Sequence, residues 1–382
     1  MADQLDDVLK LHALHNGVLG IESEMAVKNR ADLGKAYTPG VATISKMLAK
    51  DPSLRDHYTL SGKLVAVVSD GSAVLGLGNI GPAGALPVIE GKSLLYKDLA
   101  GVNALPLSVA QVSTDAFVDT IKNIAGSFAG IHLEDIAAPR CFEIEDRLSK
   151  ELNIPVYHDD QEGTAIVVMA GLLNAAKVVG KPFNDLRVLI NGAGASGIAT
   201  ARLLFAAGVK HITLVDIHGV ITPDDDRYNA FQRQLAKELG SQVSGTTLQE
   251  AIKDQDVFVG LSDANVLTAD DVHNMADQPI IFGLANPVPE IDPKVAKKAG
   301  AAVIATGSSQ YPNQVNNILV FPGLYKGLLA SGLKHVTFVL EATTAEALAS
   351  LVEHPTADHI VPGVFDDGVV QTVAKAVIDF AK

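Results

Sequence analysis

Residues 187–197 read Arg187-Val188-Leu189-Ile190-Asn191-Gly192-Ala193-Gly194-Ala195-Ser196-Gly197. A short β-branched run enters a G-x-G-x-x-G, and a helical pattern follows from Ile198 to Ala207. The next apolar run, His211-Ile212-Thr213-Leu214-Val215-Asp216, ends on an acid 19 residues after Gly197. Glycines alone would fit any strand-to-helix turn. With a strand before, a helix after and an acid closing the next strand, the context is that of a dinucleotide fingerprint. Gly192, Gly194 and Gly197 permit a tight turn, and the backbone N–H groups around Ala195 and Ser196 then face a pyrophosphate at the positive end of a helix. Asp216 is placed to accept from a ribose 2′-OH and to repel a 2′-phosphate. Ile217 brings no cation, His218 brings at best a partial one, and Asp224-Asp225-Asp226 add negative charge. The cofactor expected is NAD rather than NADP.

Working outward, further apolar runs at 256–260, 279–284 and 301–305 alternate with helical or turn-rich sequence. That alternation implies an α/β fold with a doubly wound parallel sheet and helices on both faces. Upstream, a helical pattern runs from Gln161 to Gly180 and is broken by Lys181-Pro182-Phe183-Asn184-Asp185. Its most apolar part, Thr164 to Val179, contains Asn174 and Lys177 and is shorter than the ~20 residues of a membrane span. It reads as a buried helix. The last fifty or so residues read as helices with a break at Pro362-Gly363.

The chain has 382 residues, 48% hydrophobic and 19% charged, with 33 glycines, enough for two or three domains of roughly 100–200 residues each. A net charge of −14 argues against nucleic acid or an anionic membrane as partner, but not against small anions in a cleft of local positive field. One cysteine, Cys141, allows no intrachain disulfide, and the N-terminus lacks the basic and apolar regions of a signal peptide. Both features fit a cytoplasmic protein.

Two acidic pairs precede the glycine loop. Glu134-Asp135 follows Gly130-Ile131-His132-Leu133, and Asp159-Asp160 follows Val156-Tyr157-His158. Strand ends of a parallel sheet gather on one edge, so both pairs could face one cleft as a hard-oxygen site for Mg²⁺ or Mn²⁺. Solvated loop acids are the simpler reading of the pattern alone. Adjacent strand residues also point to opposite faces, so Glu134 and Asp135 converge only if the backbone turns there.

Together these segments resemble the malic enzyme family in its short bacterial form. The matching stretches begin with Tyr37-Thr38-Pro39-Gly40-Val41, Ser69-Asp70-Gly71, Leu75-Gly76-Leu77-Gly78-Asn79 and Leu86-Pro87-Val88-Ile89-Glu90-Gly91-Lys92. They continue through both acidic pairs and the glycine loop to Gly283-Leu284-Ala285-Asn286-Pro287 and Asn313-Gln314-Val315-Asn316-Asn317, then Phe321-Pro322-Gly323. The resemblance covers almost the whole chain in one order. It implies oxidative decarboxylation of malate to pyruvate, with Glu134, Asp135 and Asp160 as metal ligands. It implies Lys92 as general base, Tyr37 as general acid, and Asp159 as polar neighbour of the lysine. Asn286 and Asn317 match positions that touch substrate or nicotinamide. Without the family, Lys92 and Tyr37 would read as a surface lysine and a packed tyrosine. For Lys92 to take a hydroxyl proton, its pKa should be pulled from ~10.4 toward neutrality by burial and a cation.

The chain departs from the family at Ala73, where longer members carry an arginine for a substrate carboxylate, and at Ser308 and Gln310, where many short members carry Arg and Asp. Activities that share these features are oxaloacetate decarboxylation without net redox and conversion of malate to lactate. An amino-acid dehydrogenase would not need the paired acids, and a non-catalytic NAD sensor would not need Tyr37 and Lys92. The expected organisation is a substrate- and metal-binding catalytic domain over 1–160, a Rossmann-type NAD domain over 161–330 and a helical segment over 331–382. A homodimer is expected from the resemblance, with catalytic residues shared between subunits as one arrangement.

Overall fold

Short apolar runs become the strands of two sheets in the computed structural model, which describes residues 2–74, 76–240, 243 and 245–382, with side chains from residue 6 onward. Leu75, part of one family-like stretch, lies outside the described residues. The first sheet contains β1 (Leu64–Ser69), β2 (Asn103–Ser108), β3 (Gly130–Leu133) and β4 (Val156–His158), in the order β2-β1-β3-β4. All its pairings are parallel. The second contains β5 (Arg187–Asn191), β6 (His211–Asp216), β7 (Gly219–Val220), β8 (Val257–Gly260), β9 (Ile280–Gly283) and β10 (Val303–Thr306). Its order is β10-β9-β8-β5-β6-β7, parallel except for β7 against β6. The strand order reverses direction at β5, and this switch point opens a crevice beyond the strand ends.

Alternation within the second sheet sorts its side chains. Leu189, Val215, Phe258 and Ile281 belong to one buried cluster, while Val188, Ile190, Leu214, Val257 and Phe282 belong to another. Helices therefore cover both faces, as a parallel sheet requires. The larger cluster runs without a break from Val65 in β1 to Val377 near the C-terminus, so both sheets share one core. β10 starts two residues later than the apolar run suggests. The N–H of Ala301 bonds Ala296 O at the end of the helix Pro293–Lys298, and cannot also join the ladder.

The helix Thr164–Val178 is buried on nearly every side. Its polar Asn174 is satisfied: Nδ2 donates to Ala349 O and Ile360 O, each at 2.9 Å. The helix does not begin at Gln161. Residues Asp159–Gly163 form one wide π turn instead, a distortion that often marks a functional site. The helix Phe338–Ser350 packs on Thr164–Val178, and Val369–Phe380 packs on Phe321–Ser331. No helix among the described residues is long and apolar enough to cross a membrane. At the other end, the helices Arg30–Ala36 and Gly40–Lys50 contain no buried residue.

Candidate active site

β3 and β4 lie side by side, with Leu133 opposite His158. The next residues outward are Glu134 and Asp159, so both acidic pairs emerge at one edge. The turn that Glu134-Asp135 needed is present: Asp135 has φ +56°, a left-handed conformation that Asp tolerates better than most side chains. One carboxylate oxygen from each of Glu134, Asp135 and Asp160 lies within 4.8 Å of the others. Asp160 Oδ2 also accepts from the Asp135 N–H at 2.8 Å, which fixes the two acids relative to each other. Burial pushes the Asp160 carboxyl well above its usual range, and Glu134 and Asp135 push it further. Negative charge is thus crowded onto hard oxygens in a dry place. A divalent cation of the Mg²⁺ or Mn²⁺ type fits this donor set.

Lys92, on the helix Gly81–Ala100, points into the same edge. Its Nζ bonds Asp159 Oδ2 and lies 2.9 Å from Glu134 Oε1. The ammonium also sits 4.8 Å from the ring centre of Phe321. Burial pulls the Lys92 pKa down, but Asp159, Glu134 and Asp160 outweigh it and hold the group above its ordinary value. A divalent cation held by Glu134, Asp135 and Asp160 would draw their charge away from Lys92, and that is the condition under which its pKa is expected to fall toward neutrality. Burial likewise raises Glu134, yet Lys92 and His132 bring it to about 2. The grouping His132, Glu134 and Asp159 could also offer three donors to a metal, but Lys92 already bridges its two acids.

Several supports escaped the sequence reading. His132 Nε2 and Glu134 Oε2 are 2.7 Å apart, and His132 Nδ1 and Tyr96 OH 2.8 Å. Tyr157 OH donates to Asp159 Oδ1 at 2.6 Å. His158, neutral because burial holds its pKa at about 3, lies 2.9 Å from Gln161 Nε2 through Nδ1. A signal was available: His132/Glu134 and Tyr157/Asp159 are each two apart, the spacing that puts strand neighbours on one face. Gly163 completes the packing, since a Cβ there would stand 2.1 Å from Asp159 Oδ1 and 3.1 Å from Asn317 Cβ. Asn317, half-buried at the start of the turn before Phe321–Ser331, is thus beside the lysine pocket.

The glycine loop assigns a task to each glycine. A Cβ on Gly192, at φ +121°, would lie 2.3 Å from Leu261 O, and one on Gly197 would lie 1.8 Å from Gly192 O. Gly194 has nothing within 4 Å and is exposed, which leaves its backbone open to a pyrophosphate. The helix Ala195–Ala206 begins at once, so the amides of Ala195 and Ser196 lie in its first turn. Asp216 closes β6. Half-buried Asn286 follows β9 by three residues and donates weakly to Leu284 O at 3.5 Å. Ala73 is exposed and uses its N–H on Asp135 O at 3.0 Å. Arg140 pairs with Asp70 and donates to Val112 O at 2.9 Å. Tyr37 is 66% exposed at the end of the helix Arg30–Ala36, and the structure does not bring its hydroxyl into hydrogen-bonding contact with the lysine cluster.

The family model for the malic enzyme NAD-binding domain matches residues 161–382, and that for the malic enzyme N-terminal domain matches 20–115 and 110–149. The chain is 47% identical over 375 residues to a bifunctional malic/malolactic enzyme of Bacillus subtilis, covering 97% of this chain and 92% of that protein. It is 46% identical to an NAD-dependent malic enzyme of Geobacillus stearothermophilus, covering 96% and 77%. The crystal structure of an NAD-dependent malic enzyme from Thermotoga maritima superposes with a TM-score of 0.93 at 42% identity, covering 97% and 98%.

Proposed function

The chain belongs to the malic enzyme family, and from that premise we propose that it oxidises and decarboxylates L-malate to pyruvate and CO₂, with NAD as hydride acceptor and Mg²⁺ or Mn²⁺ as cofactor. The observation that carries this reading is the shared edge of β3 and β4, where Lys92 stands 2.9 Å from a member of the carboxylate trio. Proton transfer and cation binding are thereby set side by side. NAD is preferred because Asp216 closes the strand after the glycine loop.

In this mechanism Glu134, Asp135 and Asp160 would hold the divalent cation, which would supply Lewis acidity toward the substrate oxygens. Lys92 Nζ takes the proton of the C2 hydroxyl. Tyr157, through its bond to Asp159 Oδ1, keeps Asp159 aimed at Lys92. Glu134 and Asp160 both stabilise the ammonium and belong to the cation set, so base action at Lys92 depends on how their charge is divided. Asn286 and Asn317 orient the substrate at the mouth. After loss of the C4 carboxylate as CO₂, the Tyr37 hydroxyl gives its proton to C3 of the enolate.

The distribution of apolar surface supports a homodimer. Leu9, Leu14, Ile21, Leu33 and Tyr37 are all exposed along the first forty residues. Such an arm gains by burying these side chains against a second copy, and Tyr37 would then serve the partner's site. We place the enzyme in the cytoplasm as part of the same proposal; its one cysteine, Cys141, is a buried thiol.

The test is absorbance of reduced nicotinamide with L-malate, NAD or NADP, and Mn²⁺ or chelator, with pyruvate and lactate assayed together. The expected result is metal-dependent NADH matched by pyruvate. The Bacillus subtilis relative's name supports a second reading, malate to lactate without net NADH, and lactate in place of pyruvate would select it. Pyruvate from oxaloacetate with no NADH from malate would replace the proposal by simple decarboxylation.

A further inference from the structure

Asp216 does not stand alone at the end of β6. Its Oδ1 accepts from Tyr228 OH at 2.8 Å and from the His218 N–H at 2.8 Å. Tyr228 is 4% exposed, and its ring is 6.5 Å from that of His218. Burial and the neighbouring Asp216 push the Tyr228 hydroxyl up, so it stays a donor. Oδ1 is thereby engaged twice, and these bonds leave Oδ2 as the acceptor for another partner.

The next residue back, Arg227, supplies a cation that the sequence reading overlooked. Its guanidinium lies 5.8 Å from the Tyr228 ring centre, within electrostatic reach of Asp216. It is not at liberty, however. Nε donates to Asp225 Oδ1 and Oδ2 at 3.0 Å each, and Nη2 to Oδ2 at 2.5 Å. The Arg227 N–H also donates to Asp225 Oδ1, at 3.0 Å. A guanidinium facing a free 2′-phosphate would be the standard means of taking NADP. Here the fork is filled by a neighbouring carboxylate in the same loop.

We propose that Tyr228, Arg227 and Asp225 together set the cofactor choice: Tyr228 positions Asp216 for the ribose 2′-OH, and Asp225 withholds Arg227 from a 2′-phosphate. This rests on the reading of Asp216 as the ribose acceptor. Tyr228 is a positioning residue, acting only through Asp216. The device explains why a cation two residues from Asp225 and eleven from Asp216 need not confer NADP binding. It also makes the preference a matter of one loop, adjustable without change to the glycine turn or the lysine pocket.

Calorimetric titration of the full chain with NAD and with NADP reads the dissociation constants directly, apart from turnover. In the unmodified protein NAD binds more tightly. Tyr228→Phe removes a hydrogen bond to a charged acceptor and weakens NAD by about tenfold, equivalent to ~1.4 kcal/mol. Asp225→Asn releases Arg227 and tightens NADP by about tenfold, and Asp225→Asn with Arg227→Ala cancels that gain. This cancellation is a signature that mere loosening of the loop would not give. In the steady state, Tyr228→Phe raises KM for NAD more than it lowers kcat. An unchanged NAD constant in Tyr228→Phe, or an unchanged NADP constant in Asp225→Asn, overturns the inference and leaves the NAD reading standing. Tighter NADP than NAD in the unmodified protein overturns the reading and the inference with it.

Discussion

Lys92 shows how a single side chain is made useful by its surroundings. Alone in the sequence it is one of many lysines. In the fold its Nζ is gripped by Asp159 and Glu134, and Phe321 closes one side. Such a pair, buried, is costly to break, on the order of 3–5 kcal/mol when one partner is removed. The prediction at this scale separates partial reactions. Lys92→Ala lowers malate oxidation by roughly 10²–10⁴-fold, the usual contribution of a general base. Decarboxylation of supplied oxaloacetate falls less, because that step needs no hydroxyl proton removed. Rates of both reactions on one preparation, with circular dichroism to verify folding, check this; equal losses would remove Lys92 from the role of base.

At the scale of elements, turns and helices carry the constraints. The turn after β5 depends on glycine at 197, where a Cβ would meet Gly192 O at 1.8 Å. Gly197→Ala therefore forces the turn open, costs about 1–3 kcal/mol of stability and abolishes NAD binding, as melting curves with and without NAD will show. The helix Phe338–Ser350 presents buried Glu341 toward Glu145 of the helix Arg140–Glu151. Burial, with Glu145 adding to it, raises the Glu341 carboxyl from an ordinary 4.5 to about 8. The folded chain then holds a proton that the unfolded chain has released, so stability falls as pH rises between those two values. Glu341→Gln keeps the neutral form at all pH. It should raise the melting temperature at pH 8.5 by several degrees and flatten the decline from pH 5, with little change at pH 5 itself.

For the whole molecule, the question is what the N-terminal arm meets. Tyr37 is exposed while Glu134, Asp135 and Asp159 of the site it is proposed to serve are buried, and its arm shows apolar side chains to solvent. A dimer that exchanges the arm resolves both facts. Mixing and reassociating Tyr37→Phe and Lys92→Ala chains should then recover activity. Each mixed dimer holds one site with both lesions and one with neither. If Tyr37 served its own chain, every site would carry one lesion and no activity would return. Sedimentation at several protein concentrations measures the dimer independently.

Local order made much of this protein legible in its sequence. A strand, a glycine turn, a helix and a strand-ending acid lie within thirty residues, so β5, β6 and the dinucleotide loop follow from short-range geometry. The burial of Thr164–Val178 was legible too, because its residues are apolar all round. The acidic pairs were visible as pairs, but their convergence was not. It needs a left-handed turn at Asp135 and the parallel register of β3 with β4, and residues close in sequence do not encode that register. The same holds for Lys92, which is 67 residues from Asp159, and for Tyr228, whose bond to Asp216 crosses a loop. Side-chain type and spacing determined which elements form and which groups could do chemistry. Tertiary structure alone decided which of those groups share a dry pocket and what charge each bears there, because burial and long-range neighbours set both.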